Sequence, residues 1–249
     1  MPHRPYIRTH SSTNPTIVMI HGIVGSPRHF DFLIPLIPDS WNVYNLLLPG
    51  HGQGVREFGQ SSMSQWKAHV AQCLDAVCAQ TDTVLVVAHS MGTLFAIEEA
   101  LRRPQIRGLF LLAVPLCPFV RPKTALASCK LSLGLGKNDP IACAMSADGG
   151  VTLSGKPWTY LPWIPRFVEL LLQCRRTCRL LPRLQCPTIA FQSKPDELVA
   201  LRSYTLLQQN PSVEAILLTE SGHFRYSPPE AAMIKDRFSL LLQKQFPDG

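Results

Sequence analysis

Short apolar runs of strand length recur along the chain and alternate with longer segments in which apolar residues return at helical spacing. The apolar runs predict buried strands at 16–20, 41–48, 83–87, 107–114, 188–192 and 213–219. The helical spacing predicts helices over 64–80, 94–103 and 228–246, and Ser26 before Pro27 predicts another helix start. The strands show no strict alternation of apolar and polar residues, which is typical of a mostly parallel sheet with helices on both faces. We therefore predict an α/β fold.

Residues 117–182 interrupt this alternation. The segment contains helical patches such as 167–174, separated by prolines and by Asp148-Gly149-Gly150. A structureless loop of this length is uncommon inside a compact domain. We predict a core domain made of 1–116 and 183–249, with 117–182 as a helical cap over the carboxyl ends of the strands.

Most of the positive charge lies in this predicted cap. The chain has 249 residues and a formal net charge of +7, and 117–182 holds nine basic residues against three acidic ones. The basic residues are dispersed and form no stripe with interleaved aromatic residues, which argues against a nucleic-acid partner. The charge has two interpretations that stay open. The basic residues are simply the solvated surface of helices, or they attract a partner, which is either an anionic substrate or a lipid surface in transient contact.

The cysteines give no sign of a metal site or of disulfides. None of the eight forms a C-x-x-C pair, and Cys174 and Cys178 have no further ligand near them in sequence. No apolar stretch reaches the ~18–20 residues of a membrane span, and residues 1–14 lack the apolar part of a signal peptide. We therefore expect reduced thiols and a cytoplasmic protein.

The segment Ala88-His89-Ser90-Met91-Gly92 lies between a predicted strand and a predicted helix. A strand, a small-x-Ser-x-Gly turn and a helix are the order of a nucleophile elbow. Such a turn holds the serine clear of the sheet, and the Met91 N–H at the helix N-terminus faces a developing oxyanion. By itself, the pattern is equally typical of an ordinary turn between a strand and a helix.

Candidate partners for the serine follow the last two predicted strands. Asp196 comes after the strand at 188–192, and His223 comes after the strand at 213–219. The order Ser90, Asp196, His223 predicts a triad in which His223 takes the serine proton and Asp196 orients the imidazole. Ile23, after the first strand, is predicted to supply a second oxyanion N–H.

Each of these residues also has a structural interpretation. Asp196 could cap the helix that follows it, and Glu197 or Asp139 would then be the rival acid. We expect His21 and His51 to order their loops. His89 is expected to line the floor of the pocket, because the geometry of an elbow disfavours it as the base. The sequence gives no signal for His29, which precedes Phe30.

Aromatic residues gather in the predicted cap between prolines 157, 162 and 165. Trp158, Trp163 and Phe167 are candidate substrate-binding residues that would form an apolar acyl pocket or a lip facing lipid. The alternative interpretation is that they pack the cap against the core.

The chain resembles the α/β-hydrolase superfamily, and within it the small bacterial carboxylesterases and monoacylglycerol-lipase-like serine esterases. The resemblance is carried by His21-Gly-Ile-Val-Gly25-Ser, Leu48-Pro-Gly-His-Gly52, Ala88-His-Ser-Met-Gly92, Gln192-Ser-Lys-Pro-Asp196-Glu-Leu-Val and Ser221-Gly-His223. It implies an α/β-hydrolase fold with a cap, the triad and oxyanion roles given above, a small-molecule ester substrate and no cofactor. Ala88 departs from the usual glycine.

The resemblance leaves the reaction class open. A serine at position 90 argues against haloalkane dehalogenases and epoxide hydrolases, which use aspartate. Ester hydrolysis through an acyl-enzyme is the first hypothesis. Acyl transfer, thioester hydrolysis and carbon–carbon bond hydrolysis on the same triad are alternatives, and a non-catalytic binding protein on this scaffold is a further one.

Overall fold

A computed structural model describes residues 3–119, 121, 123–124, 130, 135, 138, 143 and 149–245. The strands in these residues are β1 (Tyr6–Arg8), β2 (Thr16–Ile20), β3 (Asn42–Asn45), β4 (Val84–His89), β5 (Ile106–Leu112), β6 (Thr188–Ser193) and β7 (Val213–Leu218). The α-helices are α1 (Val55–Gln60), α2 (Met63–Cys78), α3 (Met91–Ala100), α4 (Ile164–Leu180), α5 (Arg202–Gln208) and α6 (Pro228–Gln245). Short 3-10 helices cover Pro27–Phe30, Ile34–Leu36, Pro157–Trp163 and Leu181–Arg183.

The described strands form one sheet in the order β1-β3-β2-β4-β5-β6-β7. Neighbouring strands in it are parallel except for β1 and β3, which run antiparallel. The chain passes from β2 to β3 on one side and then to β4 on the other, so β2 and β4 are neighbours at a topological switch point. Open α/β sheets bind ligands at the carboxyl ends of the strands at such a point. The predicted mostly parallel α/β sheet is confirmed.

Both faces of the sheet are covered, as the lack of alternation predicted. Ile17 of β2 belongs to the apolar cluster that includes Phe238 of α6, whereas its neighbour Val18 belongs to the cluster that includes Trp66 of α2. Successive side chains of a strand point to opposite faces. A strand buried on both faces therefore requires a continuous apolar run.

Several of the predicted elements differ from the structure, and the helix predicted over 94–103 begins and ends three residues earlier, at Met91–Ala100. The strand predicted at 41–48 ends at Asn45, because Leu46 and Leu48 are buried in the loop that follows rather than in the sheet. The helix predicted to start at Ser26 and Pro27 is a 3-10 helix, and the Ser26 side chain makes no capping hydrogen bond. Strand β1 and helices α1 and α5 have no counterpart among the predicted elements.

In the described part of the segment 117–182, the helical patch predicted at 167–174 lies within α4. The 3-10 helix at Pro157–Trp163 has no counterpart among the predicted elements. Isolated bridges join Thr152 to Gly54 and Pro118 to Val199. The division into a core of 1–116 with 183–249 and a cap of 117–182 stays a prediction, because much of 120–148 lies outside the described residues. Within the described residues, none of the helices has both the length and the apolar character needed to cross a bilayer.

Gly92, the second residue of α3, lies against the end of β2. A Cβ at this position would collide with the Ile20 carbonyl oxygen and lie 2.8 Å from that of His21. We expect Gly92→Ala to lower the free energy of unfolding by about 1–3 kcal/mol, although helix propensity alone favours alanine by about 1 kcal/mol. Urea denaturation measures the change.

Gly155→Ala is the matched control, because a Cβ at Gly155 meets no atom within 4 Å. We expect this variant to unfold within a few tenths of a kcal/mol of the wild type. Equal stability of the Gly92 and Gly155 variants would contradict the close approach of α3 and β2.

Candidate active site

Ser90 occupies the turn between β4 and α3 in a backbone conformation rare for a residue with a side chain. Its φ is 51° and its ψ is −124°. The turn is held by the Ser90 N–H, which donates to the Leu112 carbonyl at 2.9 Å, and by the Thr93 hydroxyl, which donates to the Ser90 carbonyl at 2.6 Å. A strained conformation of this kind costs about 1–3 kcal/mol and is found mainly at functional sites.

The loop after β2 packs directly against this turn. A Cβ on Gly22 would lie 2.8 Å from the Ser90 Cβ and 3.4 Å from its Oγ. Only a residue without a side chain lets the two loops approach so closely. The approach follows from the pairing of β2 with β4, which extends to Ile20 and Ala88.

Ser90, His223 and Asp196 form a continuous chain of hydrogen bonds. His223 Nε2 lies 3.0 Å from Ser90 Oγ, and His223 Nδ1 lies 2.9 Å from Asp196 Oδ2 and 3.1 Å from Oδ1. All three side chains are buried. Because a carboxylate only accepts hydrogen bonds, Nδ1 carries the proton and Nε2 is left to accept from the serine hydroxyl.

The structure separates Asp196 from its rival Glu197. Asp196 Oδ1 accepts from the N–H groups of Leu198 and Val199, at 2.7 and 2.8 Å, so this carboxylate closes the turn after β6 and also faces His223. Glu197 Oε2 accepts instead from the His223 backbone N–H at 2.7 Å. The other rival acid, Asp139, lies outside the described residues.

His89 binds the main chain of His223 through a hydrogen bond to its carbonyl. Its Nε2–H donates to the His223 carbonyl at 3.1 Å, and its ring stacks on His29 with centroids 3.6 Å apart. Burial, with the nearby His29 and His223, holds the pKa of His89 well below its usual value. His29 Nε2 lies 3.2 Å from the Tyr226 hydroxyl. No local sequence signal marks His29, because its contacts come from distant segments.

The loop that carries Ile23 is held at the neighbouring residue, Val24. The Val24 N–H donates to His51 Nε2 at 3.1 Å, and the Val24 carbonyl accepts from the Gly150 N–H at 2.6 Å. Val24 has a φ of 58°. In the described part of the chain, the Ile23 N–H donates to no protein acceptor, and the Met91 N–H, at the first position of α3, has no intrahelical acceptor. An oxyanion donor must have no acceptor within the protein, and among the described residues the two N–H groups agree with the predicted role in this respect.

His21 and His51 order these loops, as their structural interpretation expected. His21 Nδ1–H donates to the Gly22 carbonyl at 2.8 Å, and its Nε2 accepts from the Leu48 N–H at 3.1 Å. Burial, with His21 nearby, holds the pKa of His51 well below its usual value. A neutral His51 keeps the Nε2 lone pair that the Val24 N–H requires.

The aromatic candidates lie in two different environments. Trp163 is buried, donates from Nε1 to the Val55 carbonyl at 2.8 Å, and has its ring 4.4 Å from that of Phe58. Trp158 and Phe167 are largely exposed. The contacts of Trp163 agree with packing against the core, while the substrate-binding role of the three residues stays a prediction.

Six of the described cysteines form no disulfide: Cys73, Cys78, Cys117, Cys174, Cys178 and Cys186. Burial raises the pKa of Cys174 and of Cys186 to about 12, so both thiols are protonated at neutral pH. Among the described residues, no group of histidine, cysteine and acidic side chains is arranged to hold a metal ion. Cys129 lies outside the described residues.

Glu230 anchors the loop that carries His223. Its carboxylate accepts from the N–H groups of Thr219 (2.5 Å), Glu220 (3.1 Å) and Ser221 (2.8 Å), and also from the Ser221 hydroxyl. Burial alone would raise the pKa of Glu230, but these hydrogen bonds outweigh it and lower the pKa below its usual value. Sequence reasoning missed Glu230. The signal that could have indicated it is its position in the first turn of α6, where acidic residues are favoured.

The lowered pKa of Glu230 sets the pH dependence of its contribution to stability. The ionised group stabilises the fold fully above its unfolded pKa near 4.5, and this contribution is lost as the pH falls through the folded pKa. We expect Glu230→Gln to lower the free energy of unfolding by about 1–3 kcal/mol at neutral pH and the difference to shrink towards acid. Urea denaturation across the pH range measures it.

Glu220→Gln is the control for the same loop, because the Glu220 side chain is exposed. We expect it to leave both the stability and its pH dependence close to those of the wild type. If the stability difference between Glu230→Gln and the wild type stays constant or grows towards acid pH, the ionised Glu230 carboxylate is not what stabilises the loop.

A curated relative matches part of the chain. The pimeloyl-[acyl-carrier protein] methyl ester esterase of Xylella fastidiosa is 32% identical over 107 residues, which cover 43% of this chain and 39% of that protein. The chain spans less than half the length of the curated relatives it matches.

Solved structures are similar over nearly the whole chain. A structure reported for the metagenome-derived lipolytic enzymes LipS and LipT aligns with a TM-score of 0.72 and 18% identity, covering 97% of this chain and 98% of that one. The monoacylglycerol lipase of Paleococcus ferrophilus aligns with a TM-score of 0.66 and 17% identity, covering 96% and 98%. At these identities the likeness establishes the shared fold.

A family model extends over most of the chain. The model described as "Alpha/beta hydrolase family" matches residues 17–235, from β2 into α6. This range includes the turn at Ser90 and the loops that carry Asp196 and His223. The chain belongs to the alpha/beta hydrolase family.

Proposed function

We propose that the protein is a serine hydrolase that cleaves carboxylic esters through an acyl-enzyme. The observation that carries the proposal is the hydrogen-bonded chain from Asp196 through His223 to Ser90, with Ser90 on a strained turn. A serine hydroxyl is a weak nucleophile at neutral pH and requires an adjacent base. The hydrogen bonds of His223 fit the role of that base, in the tautomer that the reaction needs.

In the proposed mechanism, Ser90 Oγ attacks the ester carbonyl carbon while His223 Nε2 takes the serine proton. Asp196 stabilises the imidazolium that forms, and the N–H groups of Ile23 and Met91 bind the oxyanion. Each such donor contributes roughly 10²–10³ in rate. His223 then protonates the leaving alcohol. Water repeats the sequence on the acyl-enzyme and releases the carboxylic acid.

The substrate class that we propose is short- to medium-chain acyl esters or monoacylglycerols. The esterase and lipase names of the relative and of the structural neighbours support it. The triad itself is equally suited to thioester hydrolysis, acyl transfer or carbon–carbon bond hydrolysis. Initial rates on matched p-nitrophenyl esters and acyl thioesters, from acetyl to palmitoyl, separate these reactions, and glyceryl esters test the monoacylglycerol assignment.

Replacing the nucleophile tests the proposal directly. We expect Ser90→Ala to lower kcat for p-nitrophenyl esters by about 10⁴–10⁶ and to abolish labelling by a fluorophosphonate probe. The control is Ser64→Ala, which removes an exposed hydroxyl on α2 and should leave both readouts unchanged. Undiminished labelling of the Ser90 variant would refute the proposal.

The two adjacent acids should have different kinetic effects. Asp196→Asn leaves no carboxylate at Nδ1 of His223, so we expect kcat to fall by about 10⁴. Glu197→Gln keeps an acceptor for the His223 backbone N–H, and we expect a loss of at most about tenfold, as for a single hydrogen bond. Steady-state kinetics at neutral pH measure both. A larger loss for the Glu197 variant would reverse the assignment of the acid.

A further inference from the structure

Helix α4 turns polar side chains towards the protein. The Arg166 guanidinium donates to the Gly59 carbonyl at 3.1 Å and pairs with Glu169 at 2.8 Å. One turn further along, Gln173 Nε2 donates to the buried Glu98 carboxylate at 2.7 Å. On the same side, Cys174 is buried in the core and Leu170 packs against it. An amphipathic helix on a globular protein normally buries most of its apolar side chains, but α4 has further apolar residues on its other side.

The opposite side of α4 is apolar and exposed. We call this side the outer face of α4; it consists of Ile164, Phe167, Val168, Leu171 and Leu172, each between 42% and 59% exposed. The preceding 3-10 helix adds Trp158 and Leu161, which are 65% and 64% exposed. A contiguous apolar surface of this kind marks an interaction site.

Positive charge continues the outer face at the C-terminal end of the helix. Arg175, Arg176 and Arg179 follow the apolar residues, and Arg176 also reaches Glu98 at 3.0 Å. With Leu172 and Leu180, these arginines line an open surface cavity of about 330 Å³. Guanidinium groups beside leucines fit a ligand that has a phosphate next to a hydrocarbon chain.

We propose that the outer face of α4 is a docking surface for anionic lipid bilayers. The apolar side chains enter the boundary between headgroups and acyl chains, and Arg175 and Arg179 contact lipid phosphates. A helix with one apolar face and basic residues binds in the plane of the membrane in this way. Docking would bring the protein to the phase in which monoacylglycerols, one of the proposed substrate classes, dissolve.

The shape of the surface favours a bilayer over an acidic protein. The apolar residues lie on a convex helix of 17 residues, which is about 25 Å long. A bilayer accommodates any arrangement of apolar side chains, whereas a protein partner requires a complementary surface. Because the arginines are positively charged, the surface should prefer bilayers that contain anionic lipids.

Co-sedimentation with vesicles tests the proposal on the full chain. The probes are vesicles of phosphatidylcholine alone and of phosphatidylcholine mixed with phosphatidylglycerol. We expect binding to the mixed vesicles that weakens as salt is added. Arg175→Gln and Arg179→Gln should each weaken this binding about fivefold. The Val168→Ser/Leu171→Ser double variant should weaken it at least about tenfold.

The matched controls carry the same substitutions elsewhere. Leu240 on α6 is 46% exposed, close to the 48% of Leu171, and Leu240→Ser should leave binding unchanged. Lys235→Gln, on the same helix, controls for loss of a single charge. The α4 variants should hydrolyse a water-soluble ester at the wild-type rate, which shows that they are folded.

Several results would overturn the proposal. These are failure of the wild type to bind mixed vesicles, equal loss in the Leu240 variant, or binding that ignores lipid charge. A dimer in solution that Leu171→Ser converts to a monomer would assign the face to a second copy of the chain. Arginine-dependent binding of an acidic acyl-carrier protein without vesicle binding would assign it to that partner.

Docking is independent of the proposed chemistry, and the Ser90→Ala variant separates the two. Its binding to mixed vesicles should equal that of the wild type. Loss of ester hydrolysis with intact docking supports both proposals. An inactive wild-type protein that still docks contradicts the proposed function alone.

Discussion

The site depends on the contact between two stretches of main chain, the loop after β2 and the turn after β4. Gly22 lies against Ser90, and Gly92 lies against the carbonyl of Ile20, so neither crossing leaves room for a side chain. Parallel pairing of β2 with β4 creates this proximity. The same pairing places the strained turn at Ser90 in a rigid frame, which offsets the cost of its unusual φ and ψ.

His223 is restrained at its ring, at its backbone N–H and at its carbonyl. Asp196 binds its ring, Glu197 its N–H, His89 its carbonyl, and Glu230 the loop before it. A side chain on a loop would otherwise sample many orientations. These contacts hold the imidazole between Asp196 and Ser90. Of the two adjacent carboxylates, Asp196 binds the His223 ring and Glu197 binds its backbone N–H.

How much the sequence predicts depends on whether a contact is local. The strand at 16–20 was predicted with its true bounds because all five residues are buried in the sheet. The strand at 41–48 was extended too far because apolar residues report burial, and Leu46 and Leu48 are buried outside the ladder. Strand β1 is mostly exposed at the sheet edge, so it has no pattern to detect.

In the candidate site, too, features that follow from the order of strands are predictable and features that depend on tertiary contacts are not. Ser90, Asp196 and His223 could be placed together because the carboxyl ends of parallel strands lie along one edge of a sheet. The sequence predicts Asp196 as the acid and leaves the adjacent Glu197 as a rival. The coordinates add that Asp196 faces the His223 ring, whereas Glu197 accepts from the His223 backbone N–H. The stacking of His29 on His89 and the outward apolar side of α4 arise from tertiary packing, which spacing along the chain does not report.

Gly150 ties the segment 117–182 to the loops that follow β2 and β3. Its N–H binds the Val24 carbonyl, its own carbonyl accepts from the Gly52 N–H at 2.5 Å, and a Cβ there would collide with the Gly25 carbonyl. Replacing the segment 117–182 with one from another member of the family would therefore also remove the support of the loop that carries Ile23. A replacement that begins after Gly150 keeps this glycine and both of its hydrogen bonds.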